Sequence, residues 1–233
     1  MGTRTLKENL NDVLNQSGFL ARTVFAASNN IDDRQMMAIA NRVAIEIRDY
    51  WSWPELRLSE TITLESAETL YDLPDDFRSM VPDSAWETNG SRPVEWPVPD
   101  GRWYMYKNAA FSDGGVLRVR QYGLQIEVLD PVEGAEFTFE YISDAMVRDT
   151  EDEPKTRFTA DTDTFVMDDQ LFVLGVQAHW AETKMMPQAQ AWRANYMGKM
   201  HEAIGRASGG RTIGGNGSRN WTSRSPYTPT YIV

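Results

Sequence analysis

The chain has 233 residues, 41% of them hydrophobic, with eight Trp, no Cys and a formal charge of −11 at pH 7. That apolar content suffices for one large domain or two small ones, while the lack of Cys excludes a disulfide scaffold and a thiolate metal site and fits synthesis in a reducing cytoplasm. The acidic balance argues against a conventional nucleic-acid binder, no apolar run approaches the roughly 20 residues that span a bilayer, and the polar, amphipathic N-terminus does not read as an export signal.

Leu6, Leu10, Val13 and Leu14 recur at helical spacing, and Thr5 with Glu8 three residues later forms a capping box. A first helix is expected from Leu6 to about Phe25, interrupted near Gly18. A second is expected to start on Asp32 as cap, with Met36, Ile39, Ala40, Val43, Ala44 and Ile47 on one face, and to stop before Pro54. From Leu56 to about Thr164 the period shifts to two. Thr61 to Leu64, Val116 to Gln121, Leu124 to Val128 and Glu136 to Ile142 read as strands of a small antiparallel β domain, connected at Tyr122-Gly123 and Pro131 to Gly134. The Pro93 to Pro99 stretch reads as a loop, because Pro lacks the ladder donor.

Helical spacing returns after Asp168 or Asp169, with Leu171, Leu174, Gly175, Ala178 and Ala181 on one side. Pro187 suits the first turn of a fourth helix running to about Ile204, or kinks one long helix. The expected fold is therefore α+β: a helical bundle built from residues 1–55 and 165–205, a β-rich insertion over 56–164, and a flexible, extended C-terminal arm over 206–233. That arm carries Arg206, Arg211, Arg219 and Arg224 and no Asp or Glu, so it complements an acidic body. Ile213, Trp221, Tyr227, Tyr231 and Ile232 are spaced along it as apolar anchors, the pattern of a segment that orders on binding another protein or a neighbouring copy.

Signatures of catalysis are missing: there is no phosphate-cradling Gly-rich loop, nucleophile elbow or paired-His zinc motif. His179 and His201 read as structural or surface residues. Asp161, Asp163, Asp168 and Asp169 cluster as a hard cation would require, yet an EF-hand counted from Asp161 has Val166 where Gly belongs and Phe172 where Glu belongs. A loop leading into a helix capped by Asp accounts for the same residues. Neither a metal, a cofactor nor a catalytic residue is assigned. Trp51, Trp53, Trp86, Trp96 and Trp103 fit either a sugar-stacking platform or rings that pin helix to sheet, and the core reading is favoured.

Four stretches together resemble one family: Asp49-Tyr50-Trp51-Ser52-Trp53-Pro54-Glu55-Leu56-Arg57, Tyr71-Asp72-Leu73-Pro74-Asp75-Asp76-Phe77, Glu140-Tyr141-Ile142-Ser143-Asp144 and Phe158-Thr159-Ala160-Asp161-Thr162-Asp163. In order and spacing, across about residues 30 to 200, they are similar to the head-to-tail adaptors (tail tubular protein A) of short-tailed bacteriophages. The resemblance implies a structural, non-enzymatic virion protein at the head-to-tail junction. It would form a dodecameric ring beneath the portal, contact a downstream tail or nozzle protein, and let genome DNA pass through its channel without specific binding. Trp51, Trp53, Pro54, Tyr71, Pro74, Phe77, Tyr141, Asp161 and Asp163 would then be structural anchors. Two other readings remain: another virion component such as a tube or stopper, and a carbohydrate-binding or carbohydrate-active module using the Trp-rich β domain.

Overall fold

The computed structural model describes residues 4–89, 92–108 and 115–208, which form an α+β fold. Helix α1 (Leu6–Gln16) starts on the expected capping box, with the Glu8 amide donating to Thr5 Oγ1 and the Thr5 amide donating to the Glu8 carboxylate at 2.7 Å. It stops well short of Phe25. Gly18 takes a φ of +78°, a conformation that ends helices at little cost to Gly, and the loop beyond it folds back because Asn11 exchanges two hydrogen bonds with the Arg22 backbone.

Helix α2 (Ile31–Tyr50) is capped by Asn30, whose side chain accepts from the Asp32 amide at 2.8 Å. Asp32 therefore lies in the first turn instead of at the cap. Met36, Ala40, Val43, Ala44 and Ile47 are buried as the periodicity requires, whereas Ile39 is half-buried at the edge of the stripe.

The strands follow as β1 (Arg57–Thr63), β2 (Leu70–Asp72), β3 (Phe77–Met80), β4 (Trp86–Glu87) and β5 (Val94–Glu95), then helix α3 (Asp100–Asn108), then β6 (Leu117–Tyr122), β7 (Gln125–Leu129) and β8 (Glu136–Ser143). In one sheet β8 is central, paired with β1 on one edge and with β3 and β4 on the other. The second runs β2-β7-β6-β5. Alternate residues from both sheets, among them Phe137, Phe139, Tyr141, Val119 and Ile126, fill one shared core, as two half-buried sheets must.

Strand β1 begins earlier than the expected Thr61, the short strands β2, β3 and β4 were not expected, and two further features differ. The Pro93–Pro99 stretch contains β5, which pairs parallel to β6 and makes the sheet mixed. Pro is tolerated there because Pro93 contributes only its carbonyl, which accepts from the Leu117 amide at 2.9 Å at a sheet edge. Helix α3 was not expected at all. It covers the outer face of the same sheet, where Arg118 stacks on Tyr106 at 4.0 Å and Arg120 on Trp103 at 4.8 Å.

A small third sheet, β9 (Val147–Arg148) flanked by β10 (Pro154–Lys155) and β11 (Thr164–Phe165), leads into α4 (Asp169–Thr183) and α5 (Ala189–Ala207). Asp168 caps α4 by accepting from the Gln170 and Leu171 amides. Pro187 precedes the start of α5, so two separate helices form and the kinked single helix does not. Helix α4 is apolar nearly all round because α1, α2 and α5 all pack on it. Its Gly175 admits close approach: a Cβ there would lie 2.6 Å from Val43 Cγ1 and 2.9 Å from Tyr196 Cε2. This second hydrophobic core also takes in Met146, Val147, Phe158 and Phe165, so the short third sheet belongs to the helices' packing.

Candidate functional site

Three of the four stretches singled out in the sequence meet where α2 joins the first sheet, and the fourth ties down the N-terminal helices. Trp53 is buried and donates its Nε1–H to the Ile47 carbonyl at 2.6 Å, closing the end of α2, while Pro54 opens a short 3-10 turn. Trp51 points outward, 43% exposed, so of the two rings only Trp53 is a core anchor. Arg48, one residue before the first stretch, pairs with Asp144 at the end of the third, and Arg57 Nε reaches Glu140 at 2.7 Å.

The second and third stretches lock together through Asp76. Its carboxylate accepts from Tyr141 Oη at 2.9 Å and Ser143 Oγ at 2.5 Å, and its carbonyl accepts from the Asp144 amide at 2.6 Å. Burial, the hydrogen bond to Asp76 and its negative charge together push the Tyr141 hydroxyl up, well away from any titration near neutrality. Phe77 and Tyr141 rings lie 5.8 Å apart, and Pro74 turns the chain so that its carbonyl accepts from the Phe77 amide. Tyr71 uses its hydroxyl to bridge the Glu65 and Glu68 backbone. These residues position elements and leave no reacting group presented.

The fourth stretch ties down both N-terminal helices. Asp161 accepts from the Phe25 and Ala26 amides, and its carbonyl and that of Asp163 accept from the Lys7 and Leu6 amides at the start of α1. Phe158 exchanges two hydrogen bonds with Asn41 of α2. Asp163 is fully buried and accepts from the Thr159 and Ala160 amides and from Lys155 Nζ at 2.9 Å. Burial alone would raise its carboxyl, but those hydrogen bonds and the Lys155 charge hold it below the ordinary range. Asp168 is likewise lowered against burial by the Leu171 amide, Arg206 and Lys199. Asp161, Asp163, Asp168 and Asp169 thus serve separate partners, and among the described residues no group of three or more His, Asp or Glu is arranged to hold a metal ion.

The five Trp weighed as a sugar platform are dispersed. Trp96 packs on Phe137 in the inter-sheet core, Trp103 is the buried residue of α3 on the sheet's opposite face, and Trp86 and Trp51 are exposed on separate elements. His179 is buried and links three helices: its Nε2 lies 2.8 Å from Glu46 of α2 and 3.0 Å from Arg193 of α5. No spacing in the sequence marks that knot, because its members are far apart along the chain. The buried pair of Arg120 and Glu127, at 2.8 Å, was equally hidden; burial opposes the Glu127 charge, but Arg120 and Lys107 hold its carboxyl below the usual range.

Two grooves adjoin where α5 ends. One, of about 550 Å³, lies between Pro54, Glu55, Asp168 and Ala207; the other, of about 560 Å³, lies between Trp51, Pro54, β3 and Ser208. The arm residues Arg211, Ile213, Arg219, Trp221, Arg224, Tyr227 and Tyr231 lie outside the described residues. No family model and no curated protein sequence matches the chain.

Proposed function

We propose that this chain is a structural head-to-tail adaptor subunit of a short-tailed bacteriophage, without catalytic or cofactor chemistry. In this reading the helices near both ends form the bundle of a ring body, the inserted β region faces neighbouring tail components, and residues 206–233 reach the portal or an adjacent subunit. The observation that carries it is that three of the adaptor-like stretches lock to one another through Asp76 and Arg57, while the fourth ties down α1 and α2. Asp76, Tyr141, Ser143, Asp144, Asp161 and Asp163 spend their polar groups on holding elements in place, as a scaffold under load requires. The acidic body further suits a channel that DNA traverses without adhering.

The test is mass measurement and negative-stain imaging of the protein alone and mixed with portal rings of its cognate phage. Rings of twelvefold symmetry should seat on the portal, and deletion of residues 209–233 should abolish stable attachment while the body stays folded. A folded protein that neither forms rings nor binds portal would overturn the proposal.

A further inference from the structure

We infer that the groove between the Trp51–Pro54 corner and β3 is the seat of this chain's own segment just beyond Ser208, with Ile213 as its anchor. The groove is open and its wall is largely apolar: Trp51, Pro54, Met80, Val81, Pro82 and Ile142 contribute to it. Trp51 is 43% exposed there, so its ring is open to a covering segment. Ala207 and Ser208 themselves form part of its rim, so the chain continues from inside the groove. Beyond Ser208 come Gly209, Gly210, Arg211, Thr212 and Ile213. The two Gly supply a turn of any hand, and five extended residues reach about 17–18 Å, enough to lay Ile213 across Trp51 and Met80.

Charge favours the same path. The adjoining groove, which shares Pro54 and Ala207, carries three carboxylates, Glu55, Asp168 and Asp169, and one cation, Arg206, which pairs with Asp168; its balance is acidic, and Arg211 is the first charged residue after Ser208. It would settle on that acidic side while Ile213 enters the apolar one. Because the segment is tethered at the rim, its effective concentration is high and one apolar anchor with one ion pair is enough to hold it. The remaining stretch, from Trp221 to Tyr231, then leaves the body from a fixed point near β3. This inference concerns the isolated chain and stands apart from the adaptor reading, since it needs neither ring nor portal.

The chain has no Cys, so two introduced thiols report one contact. An Ile213→Cys, Met80→Cys variant should form an intrachain disulfide under mild oxidation at least ten times faster than Ile213→Cys, Leu124→Cys, whose second thiol sits on the exposed β6–β7 turn of the other sheet. The rate should not depend on protein concentration. As a second readout that leaves the groove intact, Ile213→Asp should accelerate amide exchange of Ser79, Met80 and Val81 several-fold. Similar rates for the two thiol pairs, crosslinked dimers in place of intrachain product, or unchanged exchange in Ile213→Asp would each overturn the inference.

Discussion

Asp163 shows how one carboxylate can hold a fold together. It is fully buried, and the Thr159 and Ala160 amides and Lys155 all converge on it. Asp163→Asn places an amide against donors it cannot accept from on one side, and should destabilise the protein by about 2–4 kcal/mol at pH 7 in urea unfolding. The effect depends on pH with a definite sign. The folded-state carboxyls of Asp163, Asp168 and Glu127 are held below the ordinary range, so their contribution is complete above about pH 4–5 and is lost as pH falls through the lower, folded values. Wild-type stability should therefore drop below about pH 4, and the gap between wild type and Asp163→Asn should narrow there. A second residue-scale expectation concerns Met185, 91% exposed in the turn after α4 with a φ of +51°. Left-handed backbone costs a Cβ-bearing residue roughly 1–2 kcal/mol, of which the greater unfolded freedom of Gly returns only part. Met185→Gly should stabilise by about 0.5–1 kcal/mol, as a shift of the urea midpoint at unchanged slope.

Among the elements, α4 is the one on which packing converges. Gly175→Ala would drive a methyl into Val43 and Tyr196 and should cost about 1–3 kcal/mol; combining it with Val43→Ala should recover part of the loss, as a double-mutant cycle in thermal or urea melts would read. Val43→Asp buries an unpaired charge and should prevent folding, whereas Ile39→Asp and Leu174→Asp, at half-buried positions, should cost less. Helix α2 was legible from its apolar stripe, although Asn30 and not Asp32 caps it, and α4 from its long apolar run behind the Asp168 cap. Strands β6, β7 and β8 were legible because Leu117, Val119, Ile126, Val128, Phe137 and Phe139 alternate with outward residues. Helix α3 was not legible, since Tyr104, Met105 and Tyr106 break any stripe and only Trp103 is buried. Its partners Arg118 and Arg120 would be read as solvent-facing from the alternation alone. The true end of α1 depends on Asn11 and Asp161 gripping the following loop, contacts that no local pattern encodes. Of the candidate site, the anchor residues were visible as motifs, but their interlocking through Asp76 is tertiary and became visible only in three dimensions.

At the scale of the whole molecule, two hydrophobic cores meet at a joint where β8 passes between them, Tyr141 in one and Ile142 packed on the other, and where Arg48 of α2 meets Asp144 at the end of β8. Arg48→Ala should weaken that joint by about 1–3 kcal/mol, and calorimetry should then report a ratio of calorimetric to van't Hoff enthalpy above one as the two cores begin to melt separately. The path of the chain also carries a timing consequence. Asn9 of α1 is hydrogen-bonded to Asp169, 160 residues later, and the first turn of α1 is secured by the carbonyls of Asp161 and Asp163. A ribosome adding about 5–20 residues per second needs roughly 8–30 s to cover that distance. For most of that interval the apolar stripes of α1 and α2 lack α4, the helix that packs on both. The nascent polypeptide is thus a natural client for a chaperone, and a slow codon run after α4 would do more for its yield than one before it.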